Sequence, residues 1–475
     1  MRTSAEYLSR LQGMRKNVHI GGELVGRGDP RLAPGIKVLS MTFDLVDDPK
    51  FKDLLTATSH LTGKRINRYC HIHQSPEDLL KKQEMTRLLC QKSGGCIQRC
   101  MGVDALNALS VVTFLTDMAH GTGYHQRFLE YLREYQENDW VANCAQTDVK
   151  GDRLRRPHEQ VDPDLYLHVV EKRPDGIIVR GAKAHNTMAP YADEIIVVPT
   201  RFMGEKDKDW AVAFAIPADT EGLHLVCRTT SPRPRLQLKA SASELGVADS
   251  FSIFDDVFVP WERVFMCGEY EQAGYLAGLF AAYHRHSYTG CKPATTDIMM
   301  GATALVAEYN GIAKAPHVRD KLAEMITVAE LVYGAGIAAA VKSQRAPSGT
   351  QVPDFIFVNA GRYHAGVNIY HEFETLAEIA GGLPATLPYE EDFFNDLTGP
   401  LLHKYIMRNP AITAENQHRL FRTISDMIVS ATGGVAQVAG VHGGGSPIME
   451  KIALVLQYDL DAKKQLVKDL AGIRE

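Results

Sequence analysis

A block of β-strand patterns between two helical regions is the feature that most constrains the fold of this chain. Runs such as LYLHVVEK, IIVRGAK, EIIVVPT and FSIFDDVFVP are rich in the β-branched and aromatic residues that strands favour. The first two runs flank the turn RPDG at 173–176, which predicts an antiparallel hairpin. We therefore expect an α+β fold with a mainly helical domain at 1–140, a central antiparallel β domain at 141–270 and a C-terminal helical bundle at 271–475.

The flanking regions carry helix signals. Ser75 can cap a helix that has Pro76 and two acidic residues in its first turn. Between 317 and 343, apolar residues recur three or four positions apart, as on one face of a helix: Val318, Leu322, Met325, Ala329 and Val332. Both signals support a helical fold on either side of the β block.

Composition excludes several classes of function. The 475 residues carry 52 Lys and Arg against 57 Asp and Glu, a formal charge of −5, so no overall positive field attracts nucleic acid or anionic lipid. The first residues lack the pattern of a signal peptide, and no run of about 18 uninterrupted apolar residues occurs. There is also no G-x-G-x-x-G after a strand. We expect a cytoplasmic protein without a Rossmann or P-loop nucleotide site.

Four residues can form one metal site. Cys96 and Cys100 are four positions apart and would lie on one side of a helix if the segment is helical. His284 precedes Cys291 by seven residues, which is two helical turns or a short loop. A cytoplasmic chain with eight cysteines keeps them reduced, so a clustered subset is better explained by metal binding than by disulfides.

Spacing alone leaves three interpretations of these residues open. The cysteines could be small buried hydrophobic residues without a ligand. Three cysteines and one histidine also suit a structural zinc site, or an iron-sulfur cluster in which histidine replaces one cysteine. His286 is a rival ligand to His284, and periodicity cannot choose between them.

Ordered motifs along nearly the whole chain carry a family resemblance. They are CIQRCMGVDA, CAQTDVKGDR, VVEKRPDGIIVRGAKAHNT, IFDDVFVPWERVF, YHRHSYTGCK, AEIAGGL and VHGGGSP. With them the chain resembles the 4-hydroxyphenylacetate 3-hydroxylase family of flavoproteins, which has an acyl-CoA dehydrogenase-like fold, and within it the 4-hydroxybutyryl-CoA dehydratases. The resemblance implies a four-iron four-sulfur (4Fe-4S) cluster on Cys96, Cys100, His284 and Cys291. The related hydroxylases lack this ligand set, which favours the dehydratase branch.

The same resemblance implies bound FAD. Its residues would come from the CAQTD loop, the AHNT segment, a helix end and the AEIAGG turn: Gln146, Thr147, Asp148, His185, Thr187, Asn310, Glu378, Gly381 and Gly382. Taken without the resemblance, these segments are ordinary polar turns at strand ends and a helix closed by glycine.

The implied reaction is the radical dehydration of a 4-hydroxyacyl-CoA. It needs a base for the α-proton, an electron acceptor, and an acid or Lewis acid for the departing hydroxyl. The resemblance assigns the base to His284, proton donation or charge stabilisation to Tyr288 and Lys292, and pocket positions to Gln98 and Thr187. Gln98 and Thr187 could equally be structural hydrogen-bonding groups.

Three positions depart from the dehydratase pattern. Ala439 stands where the family has a catalytic glutamate, Asp249 stands for a second glutamate, and Gly444 stands for an alanine. Loss of the first carboxylate should disable the isomerisation of vinylacetyl-CoA to crotonyl-CoA, unless Asp249 or His442 replaces it. From the resemblance we expect 4-hydroxybutyryl-CoA or a close analogue as the substrate, and Ala439 leaves the exact acyl-CoA open.

Two other functions stay open, and the resemblance also implies an assembly. One is a two-component FAD-dependent monooxygenase for phenols, against which the cysteine set counts. The other is a ligand-binding protein in which a metal site only joins the helical regions. Family members are homotetramers with flavin near subunit boundaries, so we expect a homotetramer that binds an acyl-CoA and no nucleic acid or membrane.

Overall fold

The computed structural model describes residues 1–97 and 99–473. In chain order its helices are α1 (Ser4–Gln12), α2 (Ala33–Asp44), α3 (Lys52–Leu55), α4 (Pro76–Ser93), α5 (Cys100–His120), α6 (Tyr124–Glu137), α7 (Tyr270–Tyr309), α8 (Pro316–Val341), α9 (Phe355–Ala380), α10 (Leu383–Thr386), α11 (Glu390–Phe393), α12 (Gly399–Tyr405), α13 (Ala414–Ile428), α14 (Ala431–His442), α15 (Pro447–Gln457) and α16 (Leu460–Ala471).

The strands lie mainly between α6 and α7. They are β1 (Val18–Ile20), β2 (Glu23–Val25), β3 (Thr56–Thr58), β4 (Arg65–Asn67), β5 (Ala142–Ala145), β6 (His168–Lys172), β7 (Gly176–Lys183), β8 (Glu194–Val197), β9 (Val212–Pro217), β10 (Leu223–Thr230), β11 (Val247–Pro260), β12 (Val264–Cys267), β13 (Gln344–Arg345) and β14 (Gln351–Val352). The α+β class predicted from the sequence is confirmed, while the exact division into three domains stays a prediction.

Two sheets form the β region. The larger has the order β2-β1-β10-β11-β7-β6 and the smaller β12-β9-β8-β5. The predicted hairpin joins β6 to β7, and the Arg173 N–H donates to the Gly176 carbonyl at 2.8 Å. The buried faces of both sheets supply one core, with residues such as Phe214 and Phe254.

The strand pairs of the two main sheets are antiparallel, as predicted, except for two parallel pairs among the described residues. β1, from the N-terminal region, pairs with β10, and β5 pairs with β8. β1 has only three residues, too few to show a period of two. Val18 of β1 is fully buried, and the Asn17 side chain donates to the carbonyls of Ala218 and Leu223 at 3.0 Å. These long-range contacts hold β1 in the sheet.

The predicted helix signals are confirmed. Ser75 caps α4, where its hydroxyl accepts the N–H of Asp78 at 3.3 Å. Gly94 ends the same helix in a left-handed conformation, with φ of 72°. Cys96 and Cys100 would share one side of a helix only if the segment between them were helical. It is not, because α4 ends before Gly94 and α5 begins only at Cys100.

Helix α7, 40 residues long, is the centre of the helical region. It packs against α4, α5, α8 and α9. It comes close to α4 at Gly290, where a Cβ atom would lie 2.5 Å from the Gln83 carbonyl oxygen and 3.0 Å from the Thr86 Cβ. The α4 and α7 backbones therefore touch at this point, and only a residue without a side chain fits.

By length and composition alone, α5 and α8 could cross a membrane, as could α13–α15 taken as one bent span. Within the protein, 78% of the apolar window of α5 and 39% of that of α8 are buried. The apolar residues of α5 are therefore mostly core residues of this fold.

We expect Gly290→Ala to lower the free energy of unfolding by about 1–3 kcal/mol, because the added methyl group overlaps the α4 backbone. Gly278→Ala is the matched control on α7, since a Cβ there meets nothing within 4 Å and alanine favours the helix. Thermal unfolding of both variants is the measurement, and an equal effect would contradict the close approach.

Candidate active site

Helices α5 and α7 bring a carboxylate, an imidazole and a thiol together. Cys100 and Asp104 lie one turn apart on α5, and His284 faces them from α7. One ligand atom from each of these three residues lies within 4.8 Å of the other two. His284 Nδ1 is 3.0 Å from Asp104 Oδ2, so the imidazole is held by a fully buried carboxylate.

Asp104 is surrounded by donors. The Lys82 ammonium forms a buried ion pair with it, and the Ser287 hydroxyl donates to both of its oxygens at 3.0 Å. Burial alone would raise the pKa of Asp104, but Lys82 and His284 outweigh burial and lower it. Asp104 is therefore an anion that fixes the orientation of the His284 ring.

The cysteines lie beside this group. Cys100 and Cys291 are buried, whereas Cys96 is exposed. A side-chain hydrogen bond with Cys96, together with burial, raises the pKa of the Cys100 thiol. Hydrogen bonds with Cys90 and Cys96 do the same for Cys291, with burial adding to the effect. The thiols predicted as ligands thus contact one another.

The structure distinguishes the two histidines of the YHRHSYTGCK motif. His286 lies on the same helix but is fully buried, and burial lowers its pKa to about 3. His284, but not His286, lies within 4.8 Å of Cys100 and Asp104 by its ligand atom. The choice of His284 as the ligand stays a prediction.

Tyr288 and Lys292 continue the same face of α7. The Tyr288 hydroxyl donates to the Gly440 carbonyl at 2.7 Å, and the Arg362 guanidinium lies 4.3 Å from the centre of its ring. Lys292 is fully buried and forms an ion pair with Glu372 of α9. Burial lowers the pKa of Lys292, and Glu372 opposes that effect. Gln98, the other predicted pocket residue of this region, lies outside the described residues.

Two arginines hold the VHGGGSP turn over the site. Arg362 donates to the carbonyls of Gly443 and Val441 at 2.8 and 2.7 Å, and Arg285 donates to the Gly444 carbonyl at 2.8 Å. A Cβ on Gly444 would lie 3.6 Å from His284 Cδ2, so the turn touches the imidazole. Ala439 and His442 lie in the last turn of α14, where the chain enters the glycines of this turn, and both are exposed.

A second group contains Thr187 and Asp249. The Thr187 hydroxyl donates to Asp249 Oδ1 at 2.6 Å, and Arg228 pairs with Asp249 Oδ2 at 2.7 Å. Asn143 donates to the Thr187 carbonyl at 2.7 Å, and its amide also lies 4.0 Å from the sulfur of Met101, the neighbour of Cys100. The predicted flavin segment therefore adjoins the cysteine and histidine group.

His185 belongs to this second group. Burial lowers the pKa of its imidazole, and Lys150 and His442 add to that effect. Its φ of 60° turns the chain sharply between β7 and the Thr187 segment.

The predicted CAQTD residues are partly structural. Asp148 is buried and pairs with Lys183 at 2.7 Å, while Thr200 donates to it at 2.6 Å. The Thr147 carbonyl accepts the N–H of Ala184, and the Gln146 amide donates to the Ala277 carbonyl of α7 at 3.2 Å. Only Gln146 and Thr147 in this loop keep partly exposed side chains.

The remaining predicted flavin residues form a separate group at the opposite end of α7. The Asn310 amide donates to the Ile379 carbonyl at 3.0 Å and its oxygen accepts from Arg408 at 2.6 Å. Gly381 ends α9, and Glu378 pairs with Lys321 on the surface. A Cβ on Gly381 or Gly382 would meet nothing within 4 Å. Within one chain, these residues do not meet those near Thr187.

Sequence reasoning missed several residues of the site. Asp104 was detectable, because it follows Cys100 by four positions on a helix and so shares its face. Lys82, Arg362 and Glu372 come from other helices, and no local pattern connects them to the ligands.

The fold and site together define a class of proteins. A glutaryl-CoA dehydrogenase with glutaryl-CoA shares the fold at 14% identity, with a TM-score of 0.50 over 86% of this chain and 82% of that one. A 4-hydroxyphenylacetate 3-monooxygenase oxygenase component complexed with FAD matches at 28% identity, with a TM-score of 0.90 over 99% and 98% of the chains. The class is thus that of proteins with an acyl-CoA dehydrogenase-like fold.

The family can be stated more narrowly. The N-terminal and C-terminal regions of 4-hydroxyphenylacetate 3-hydroxylase match residues 3–266 and 273–472, and this chain belongs to that family. The 4-hydroxybutyryl-CoA dehydratase/vinylacetyl-CoA-Delta-isomerase of Clostridium aminobutyricum is 39% identical over 99% of both chains. An oxygen-tolerant archaeal 4-hydroxybutyryl-CoA dehydratase from N. maritimus is 38% identical, with a TM-score of 0.95 over 100% of this chain and 95% of that one.

We expect Lys82→Met to lower the free energy of unfolding by about 3 kcal/mol, because it leaves the buried Asp104 carboxylate without its cation. The double variant Lys82→Met/Asp104→Asn should recover part of this loss, since no buried charge remains. Denaturant unfolding of both variants measures the difference. A double variant that is less stable than Lys82→Met would contradict the ion-pair assignment.

Proposed function

We propose that this chain is an FAD- and iron-sulfur-dependent hydro-lyase that dehydrates 4-hydroxybutyryl-CoA or a close analogue. The observation that carries the proposal is the cluster of the buried residues Cys100 and Asp104 with the partly buried His284, beside Cys96 and Cys291. The monooxygenase component named above matches at lower sequence identity than the two dehydratases do. A soluble, cytoplasmic homotetramer is part of the proposal.

The donor atoms suit a metal cluster. Thiolates are the preferred ligands of iron-sulfur clusters, and an imidazole can replace one of them. We propose Cys96, Cys100, Cys291 and His284 as the ligands of a 4Fe-4S cluster. When bound, such a cluster supplies a Lewis acid for the departing hydroxyl group. The same residues could hold zinc, which metal analysis distinguishes.

His284 is the proposed base. Asp104 accepts a hydrogen bond from Nδ1–H, so Nε2 keeps the lone pair and is the basic atom of the ring. This arrangement of a buried carboxylate holding an imidazole fixes both the tautomer and the orientation of the base. Nε2 can therefore ligate a metal or take up the α-proton of the substrate.

Tyr288 and Lys292 are the proposed groups for proton donation and charge stabilisation. Tyr288 lies one turn after His284, on the same face of α7. Burial raises the pKa of Tyr288 above its ordinary value, so its hydroxyl stays protonated and can donate a hydrogen bond to a developing negative charge. Lys292 is held by Glu372 and supplies a fixed positive charge rather than a mobile proton donor.

Two copies of the chain are proposed to complete each flavin site. Gln146 contacts α7 at Ala277, and Asn310 lies 33 residues further along the same helix. At 1.5 Å per residue, this separation is about 50 Å, which far exceeds the length of FAD. One chain therefore offers residues to two different flavins, and a neighbouring copy supplies the remainder of each site.

Ala439 limits the proposed chemistry. Asp249 does not offer a free carboxylate in its place, because Arg228 and Thr187 occupy its two oxygens. His442 is exposed and lies close enough to His185 to lower its pKa. Of the two groups that could replace the missing glutamate, we propose His442 as the proton relay. We propose that dehydration is retained and that isomerisation of vinylacetyl-CoA is weak.

Anaerobic purification should yield FAD with about four irons and four sulfides per chain and little zinc. Cys100→Ala should lose most of this iron and its broad visible absorbance, because it removes a buried ligand. Cys267→Ala is the control, since this thiol lies on β12 beside Lys172, away from the group.

Metal content and turnover together decide between the candidate functions. Dehydration of 4-hydroxybutyryl-CoA by the iron-containing protein supports the proposal. Flavin without iron, together with hydroxylation of a phenol by added reduced flavin, would replace the proposal with the monooxygenase function. Zinc in place of iron would overturn the redox assignment.

We expect Ala439→Glu to raise the rate of vinylacetyl-CoA isomerisation at least about tenfold, because a positioned general base contributes factors of about 10²–10⁴. Dehydration should change much less. Ala439→Gln is the matched control, since it adds the same bulk without a carboxylate. An equal gain from both variants would show that proton transfer at this position is not the cause.

A further inference from the structure

Cys90 is a fifth thiol beside the proposed cluster ligands. It lies in the last turn of α4, is fully buried, and packs in the same core cluster as Cys100 and Cys291. Neither the proposed chemistry nor the ligand set uses it.

The close approach of α4 and α7 explains its position. The two backbones touch where Gly290 meets Gln83 and Thr86. Cys291 follows Gly290 directly on α7, and Cys90 lies one turn after Thr86 on α4. The thiols of Cys90 and Cys96 lie close enough to the Cys291 thiol to raise its pKa, and Cys90 and Cys291 share one buried cluster. Cys90 therefore lies beside the ligand that α7 contributes.

Tyr69 is an independent sign that an acceptor belongs in this space. It is 1% exposed, and its hydroxyl has no hydrogen-bond partner among the described residues. Burial raises the pKa of this hydroxyl, and the thiols of Cys100, Cys90 and Cys96 lie close enough to raise it further. A buried hydroxyl without a partner costs about 1–3 kcal/mol, which a sulfide or thiolate acceptor would offset.

We propose that Cys90 is part of the cluster site: its S–H donates a hydrogen bond to the Cys291 sulfur, and it can replace Cys291 as an iron ligand. This inference rests on the iron-sulfur cluster of the proposed function and adds a second thiol for one iron. If the purified protein held zinc or no metal at these thiols, the inference about Cys90 would have no basis.

The replacement is a simple ligand exchange. The Cys90 sulfur forms a bond to the iron that has lost Cys291, and its thiol proton passes to solvent, because only the thiolate binds iron. No electron is transferred, and no further reactant is needed. In the intact protein the hydrogen bond stabilises the more negative, reduced state of the cluster, since hydrogen bonds to sulfur help set its potential.

The test compares iron content in four proteins purified anaerobically: the unaltered chain, Cys291→Ala, Cys90→Ala and Cys90→Ala/Cys291→Ala. We expect Cys291→Ala to keep at least about half of the iron, with a changed electron paramagnetic resonance spectrum, because one thiolate replaces another. The double variant should keep less than about a tenth. Cys90→Ala alone should keep all of it.

A second readout does not depend on the double variant being folded. Cys90→Ala should shift the reduction potential of the cluster to a more negative value, whereas Cys267→Ala should leave it unchanged. Equal iron loss in Cys291→Ala and the double variant would overturn the replacement, and an unchanged potential in Cys90→Ala would overturn the hydrogen bond. Failure of the proposed function itself would show instead as absence of iron from the unaltered chain.

Discussion

The carboxylate of Asp104 is the constraint on which the site depends. It is fully buried, and three donors from two other helices converge on it: Lys82 from α4, and His284 and Ser287 from α7. A buried anion is tolerated only when such donors surround it. The requirement to satisfy this one charge therefore fixes the relative positions of α4, α5 and α7, and with them the imidazole and the thiols.

Backbone contact makes this arrangement compact. Gly290 lets α7 touch α4, and Gly336 lets α8 approach the Thr289 hydroxyl of α7, where a Cβ would lie 2.1 Å away. On the open side, Arg285 and Arg362 bind the carbonyls of the glycine-rich turn and hold it against His284. The site is thus enclosed by packed helices on one side and by a pinned turn on the other.

The sequence predicts the parts of the structure that follow local patterns. The strand block, the Ser75 cap and the placement of His284 and Cys291 two turns apart on one helix are all local, and the structure has them. The three-residue β1 and the helix break before Cys100 were not predicted, because a short strand has no measurable period and a single glycine decides where α4 ends. Lys82, Tyr69 and Cys90 were missed for another reason: they reach the site only through contacts between helices.

The length of α7 has a consequence for mixtures of damaged chains. One end of this helix meets the Gln146 segment, and Asn310 lies at the other end. In the proposed arrangement, each chain contributes residues to two flavins. On that arrangement, a chain altered near Gln146 and a chain altered near Asn310 are each inactive alone, yet a mixed assembly contains some sites built entirely from intact halves. Two defective alleles would then complement each other, and the pattern of complementation would map which residues share a flavin.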